Sequence, residues 1–255
     1  ALFSGVYASD WSWSPLLFDM DNDGQIDIHV TNGITKRPND LDFIQYSQDA
    51  DAKTPIEELR KKQIDLLPEL KIANFAWKNT GNLHFENQAQ DLGLDQKSYS
   101  NGSTYADLDN DGDLDLIVNN IDQEAFIYEN LSEKSGNHFL IVNLKGNPGN
   151  AKGIGAKVTL FASGKTLTQR LSTSRGFQSG PSTTLVFGLG KAEKIDSIRV
   201  KWPEGQLEAF SGSPSNRSLL LEKGKGKSRD FLFPQVISQP SELPFQIPWI
   251  HQEKT

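Results

Sequence analysis

Asp107-Leu-Asp-Asn-Asp-Gly-Asp-Leu-Asp115, running straight into Leu116-Ile-Val-Asn-Asn120, decides how the rest of the chain is read. Carboxylates at alternate positions, a glycine in sixth place and a carboxylate in ninth make a hard, oxygen-only ligand set on a tightly folded loop, which is what Ca²⁺ requires. Asp107, Asp109 and Asp111 are expected to point side chains at the ion, Asp113 to lend its carbonyl and Asp115 to close the shell. Gly112 takes backbone angles that a residue with Cβ resists. Without a cation these charges repel one another, so loop and ion are expected to order together.

The arrangement occurs twice. Asp19-Met-Asp-Asn-Asp-Gly-Gln-Ile-Asp27, followed by Ile28-His-Val-Thr-Asn32, shares eight identities with the later stretch over fourteen aligned positions. An EF-hand also begins D-x-D-x-D-G but needs a bidentate acid at position twelve, where this chain has Val30 and Val118. The EF-hand reading therefore fails. After each ninth-position Asp the residues turn apolar and β-branched, which predicts a strand leaving the loop. A solvated acidic turn is the alternative, and two copies with the glycine in place argue against it.

A chain of 255 residues holds one large domain or two of ordinary size. With no cysteine, disulfides and thiolate metal sites drop out. Ala1-Leu-Phe-Ser-Gly5 reads neither as a signal peptide nor as a membrane span, so an exported form is expected to have lost its signal or to carry it upstream. The net charge of −7 conceals a division. Residues 1–130 carry 24 acids and 9 bases, whereas residues 131–255 carry 9 acids and 17 bases, and this contrast predicts two domains. The basic residues lie scattered along strands without interleaved aromatics, which argues against nucleic-acid binding.

Before the first loop, Trp11-Ser-Trp-Ser-Pro-Leu-Leu-Phe18 reads as an entering strand, with Trp11 and Trp13 as packing residues or as a sugar-stacking platform. Thr54-Pro-Ile-Glu57 has the cap, proline and acid of a helix start, predicting an amphipathic helix over 55–67 that Pro68 stops. Phe75-Ala-Trp-Lys-Asn79 and Phe126-Ile-Tyr-Glu-Asn130 repeat an aromatic strand ending in Asn. From His138 seven short strands separated by Gly, Pro, Asn or Ser predict an antiparallel sandwich or barrel over 137–223. Gly224-Lys-Gly-Lys-Ser-Arg229 reads as a flexible linker, and 230–255 as a tail too short for a domain.

Taken together, the paired D-x-D-N-D-G-x-x-D loops resemble the FG-GAP or VCBS-type repeats of calcium-binding β-propellers, as in integrin α-subunit heads. Gly153-Ile-Gly-Ala-Lys-Val-Thr-Leu160, Thr173-Ser-Arg-Gly-Phe-Gln-Ser179, Phe187-Gly-Leu-Gly190 and Val200-Lys-Trp-Pro-Glu-Gly205 resemble the ASPIC/UnbV domain that follows such repeats in the cartilage acidic protein family and its bacterial surface relatives. The resemblance implies an all-β fold with one inserted helix: partial propeller blades over 1–133, then an antiparallel sandwich or barrel. It also implies an extracellular or outer-membrane surface location, two Ca²⁺ sites, and in bacteria an association with outer-membrane transporters of nutrient uptake. By position the ligands are Asp19, Asp21, Asp23, the Gln25 carbonyl and Asp27, then Asp107, Asp109, Asp111, the Asp113 carbonyl and Asp115. The tail resembles the start of a further propeller segment, as in a fragment of a longer protein.

No catalytic residue transfers from the resemblance. His29, His84, His138 and His251 are dispersed without triad spacing, and His29 is expected to be a satisfied structural histidine. Gly153-x-Gly155 is no phosphate loop, because a strand follows it. Arg170 and Arg175 read as exposed arginines or as anion ligands. Two functions of different class follow. One is a calcium-stabilised surface binding or scaffolding module that presents loops to a glycan or protein partner. The other is a surface polysaccharide hydrolase with the propeller as scaffold.

Overall fold

The computed structural model describes residues 2–37, 41–48, 64–65 and 67–228. Strands β1 (Ser12–Phe18) and β2 (Asp27–Asn32), the short helix α1 (Leu41–Gln48), and β3 (Phe75–Gly81) and β4 (His84–Asn87) come first. The four strands pair antiparallel in chain order. Each strand has the β-branched and aromatic content that suits a pleated, half-buried surface. Strands β5 (Ser100–Ala106), β6 (Asp115–Asn120) and β7 (Phe126–Tyr128) repeat this meander as a three-stranded sheet.

The two sheets face each other. Leu16 and Phe18 of the first lie in one apolar cluster with Leu116 and Val118 of the second, and Phe18 stacks on Tyr105 at 4.7 Å. His29 shares this face, opposite Leu16 and Ala76 in the sheet register. It is 1% exposed, and neither ring nitrogen has a hydrogen-bond partner among the described residues. The expectation of a satisfied histidine is thus corrected, and burial pushes its pKa down to about 4.

The remaining strands are β8 (His138–Lys145), β9 (Lys157–Ala162), β10 (Lys165–Arg170), β11 (Leu185–Gly190), β12 (Lys194–Lys201), β13 (Leu207–Pro214), β14 (Arg217–Glu222) and β15 (Lys227–Ser228). They form a five-stranded sheet, β10-β9-β12-β13-β15, and a three-stranded one, β11-β8-β14. A core including Leu140, Val142, Leu160, Phe187, Ile198 and Trp202 fills the space between them. All seven expected strands are present, but the expectation of a wholly antiparallel arrangement is corrected, since β14 runs parallel to β8. Residues 224–228 are likewise not a loose linker. Lys227 and Ser228 pair with β13, and the buried Glu208 carboxylate accepts the Gly224 and Gly226 amides.

Strands β8 and β11 are apolar on both faces, and the structure uses both. Leu140, Val142, Leu185 and Phe187 point into the C-terminal core, while Ile141 and Val186 enter the cluster built by the first two sheets. A sheet covered on both sides loses the polar alternation of a half-exposed one. The β8–β11–β14 sheet is therefore a middle layer.

The fold is largely β-sheet with one short helix, and among the described residues neither a barrel nor a propeller ring closes. The helix expected over 55–67 falls almost wholly outside the described residues, as does the tail from 229. Helix α1 was not anticipated. Trp13 packs on Phe177 at 4.9 Å and donates its indole N–H to the Gly33 carbonyl at 2.7 Å, so it belongs to the packing. No helix among the described residues is long and apolar enough to cross a membrane.

Candidate metal centres

Each acidic loop joins the first two strands of its sheet, and each is folded by the same backbone device. The Asn of the Asn-Asp-Gly run and the glycine that follows take positive φ: 58° and 86° at Asn22 and Gly24, 67° and 95° at Asn110 and Gly112. Asn tolerates that region better than other residues with a Cβ, and Gly enters it freely. The chain thereby coils its carboxylates inward. The ninth-position Asp then ties the loop to the sheet. Asp27 accepts the Met20 amide at 2.9 Å and the Asn79 amide at 2.8 Å. Asp115 accepts the corresponding Leu108 and Asn130 amides at 2.8 and 2.9 Å. Asn79 and Asn130 complete the likeness by donating their side-chain amides to Ile26 and Leu114. These asparagines close the repeated aromatic stretches 75–79 and 126–130, Asn79 within β3 and Asn130 just beyond β7, a pattern visible in the sequence whose role was not.

Two groups of carboxylates result. In the first loop, oxygens of Asp19, Asp21 and Asp27 lie within 4.8 Å of one another; in the second, those of Asp107, Asp109 and Asp111 do, and Asp111 and Asp113 form a similar group with Glu133. Such groups can coordinate a divalent ion. Asp23 stands apart from the first group, its carboxylate accepting both nitrogens of Gln25. Asp113 turns a buried side chain to Ser132, which donates from both its amide and its hydroxyl, at 2.9 and 3.0 Å. Asp115 serves the staple described above and does not join the second group. Glu133 had no sequence signal.

The donor set fits a hard cation on a further count. One buried oxygen each of Asp107 and Asp113 has no hydrogen-bond partner among the described residues, and an unpaired buried acceptor is costly unless something positive satisfies it. The charge strain shows in the acidities. Burial pushes Asp19 up to about 8, the Gly24 amide opposing and Asp23, Asp27 and Asp21 adding to the rise. Burial also pushes Asp27 to about 6 against the Asn79 and Met20 amides, and Asp113 to about 7 against the Ser132 hydroxyl. Asp107 and Asp111 move up from the same cause.

The two loops touch. Asn22 donates to the Gly112 carbonyl at 3.1 Å, and Asn130 and Asn137, both beyond the second loop, donate to the Met20 and Asp21 carbonyls of the first. The middle sheet closes the assembly from below. The Gly190 amide donates to the Asn22 carbonyl at 2.8 Å, and a Cβ on Gly188 would run into the Asp19 carboxylate and the Asn22 backbone. Nine loop carboxylates are therefore carried by two touching loops, the first lying against β11 and the second against Phe139 of β8.

The loops differ in one charge that the sequence reading passed over. Lys78 of β3 forms an ion pair with Asp21, and that hydrogen bond raises its pKa. At the same place after the second loop stands Glu129. The first loop thus carries its own ammonium, which an incoming cation must displace or share, whereas the second carries an extra acid. Replacing Lys78 with Met is expected to tighten the weaker of two sites about tenfold, since one opposing charge near the site is worth more than ~1.4 kcal/mol at an effective dielectric of about 20. Calorimetric calcium titration of the wild type and Lys78→Met would read it, and an unchanged weaker site would refute it.

The geometry defines an all-β chain with paired acidic loops held on a two-faced sheet. A family model described as ASPIC and UnbV matches residues 146–228, so a β domain of that type is present. No curated protein matches the chain. The matched segment contains the glycines of Phe187-Gly-Leu-Gly190 that receive the first loop, and Thr173–Ser179, whose Phe177 amide donates to Ser14 between the first two sheets.

Proposed function

We propose that the chain is a calcium-stabilised binding or scaffolding module of the cell surface or extracellular space, in which Ca²⁺ in both loops locks the first two sheets onto the ASPIC/UnbV-type domain. The ligands of the first site are Asp19, Asp21, Asp23, Gln25 through its carbonyl, and Asp27. Those of the second are Asp107, Asp109, Asp111, Asp113 through its carbonyl, and Asp115. The observation that carries this reading is the duplication of the staple: in two separate loops the ninth-position Asp binds the amide of the second residue and that of an Asn, Asn79 within β3 and Asn130 just beyond β7. A lone acidic turn does not require that repetition. Millimolar calcium outside cells suits sites of modest affinity, which supports the location. In this reading the first two sheets are propeller-type blades, and the partner is a glycan or protein, as in modules that accompany outer-membrane uptake systems.

The module reading also accounts for the acids without chemistry. The clustered carboxylates serve ion binding and loop closure, and the dispersed histidines include one sealed in the core. The test is binding and turnover measured together. With a panel of surface glycans, calcium-dependent retention without release of reducing ends is expected. Turnover that disappears on replacing a carboxylate outside the loops would favour the hydrolase reading instead.

A further inference from the structure

A cavity of about 200 Å³ opens between the first acidic loop and the C-terminal strands. Its floor is apolar, with Phe18, Leu114, Leu171 and Val186. Arg170, Arg175, Tyr105, Thr168 and Ser182 line it, together with Asp19 of the first loop. Arg175 donates to the Arg170 carbonyl at 3.0 Å, which ties its guanidinium to the end of β10. Neither guanidinium meets a carboxylate among the described residues, and the Arg170 guanidinium and the Tyr105 hydroxyl have no hydrogen-bond partner there.

We infer that this cavity binds a single carboxylated sugar ring, a hexuronate residue of an acidic glycan. A guanidinium fork matches a carboxylate in planar, bidentate geometry, and two arginines line this cavity. An inorganic anion would use the arginines alone and would leave the hydroxyls and the apolar lining without a partner. A ring bearing both a carboxylate and hydroxyls satisfies both kinds of group, with its carboxylate on the arginines and its hydroxyls toward Tyr105 and Ser182. The apolar floor suits the C–H face of a pyranose. The volume lies below the roughly 300–1,000 Å³ of pockets for drug-sized ligands, which limits the occupant to about one ring. The inference rests on the binding-module reading and names the ligand class it would take; it does not depend on the occupancy of the second loop.

Calorimetry on the full chain in calcium, with trigalacturonate as probe, tests it. Binding is expected to be at least tenfold tighter than for the neutral galactose trimer, for sulfate or for a glutamate-rich peptide. Arg170→Gln, an exposed position, and Arg175→Gln are each expected to weaken it tenfold or more at unchanged melting temperature. Equal affinity for the neutral trimer, sulfate or the peptide, no binding of the uronate, or arginine variants that bind as wild type would each overturn the proposal. The calcium response of the melting temperature, measured on the same samples, separates the two readings. If that response is present and uronate binding absent, this inference fails alone; if uronate binds and calcium has no effect, the calcium reading fails alone.

Discussion

Removing divalent cations at pH 8 is expected to lower the melting temperature by about 10–20 °C relative to calcium at a hundred times its dissociation constant. Each site filled to that degree contributes ~2.7 kcal/mol, and for a chain of this size each kcal/mol moves the midpoint by about 2–4 °C. The effect should shrink toward pH 6, and the acidities give the sign. Asp19 and Asp113 hold protons in the cation-free fold up to about 8 and about 7, well above an ordinary carboxylate. The folded state therefore binds protons that the unfolded chain has already released, and its stability falls as pH rises from 6.5 to 8, by up to ~1.4 kcal/mol per pH unit for Asp19 and by less for Asp113, which has released most of its proton above 7. His29 does not enter this window. Its folded pKa, about 4, lies below the unfolded value, so its contribution is complete above 6.5 and is lost only as pH falls from there to about 4. Calcium displaces the carboxylate protons, so the cation-saturated protein should lose this slope. Calorimetric scans at several pH values, with calcium and with chelator, provide the check. Parallel curves in the two conditions would contradict it.

The second large effect is expected at Gly188. Sequence gives no reason for a glycine in the middle of Leu185-Val-Phe-Gly-Leu-Gly190; the structure supplies one, because the Asp19 carboxylate and the Asn22 backbone lie where a side chain would stand. Gly188→Val must push the first loop off β11, taking with it the Gly190–Asn22 hydrogen bond and the Asn22–Gly112 link to the second loop. We expect a loss of ~3 kcal/mol or more, roughly 6–12 °C, together with loss of one calcium equivalent while the second loop keeps its own. Gly149, which has open space around its Cβ position, provides the control: Gly149→Ala should change neither stability nor stoichiometry. Two retained equivalents in a stable Gly188→Val protein would show that the loop does not depend on the sheet.

Much of this was legible in the chain because period and turn chemistry are local. The seven C-terminal strands, the paired loops and the glycines at their sixth positions all follow from patterns within ten residues. What escaped depends on distant parts meeting. The apolar run of β8 is readable as buried on both faces, yet the charge contrast between the halves drew attention to separation, whereas Ile141 and Val186 join the cluster of the first half. Parallel pairing of β14 with β8 has no local mark. In the site, the repeated Asn of the aromatic strands was visible as a repeat, but only the fold shows it closing on the loop carbonyls. Lys78 and Glu133 carried no signal, because a charged residue on a strand usually faces solvent.

The account rests on two ions held by two matched loops. Crystals grown with calcium and measured at long wavelength would test that most directly through the anomalous difference map. Two peaks are expected, one ringed by Asp19, Asp21 and Asp27 and the other by Asp107, Asp109 and Asp111. A map without a peak in either loop, from well-ordered crystals in millimolar calcium, would contradict it.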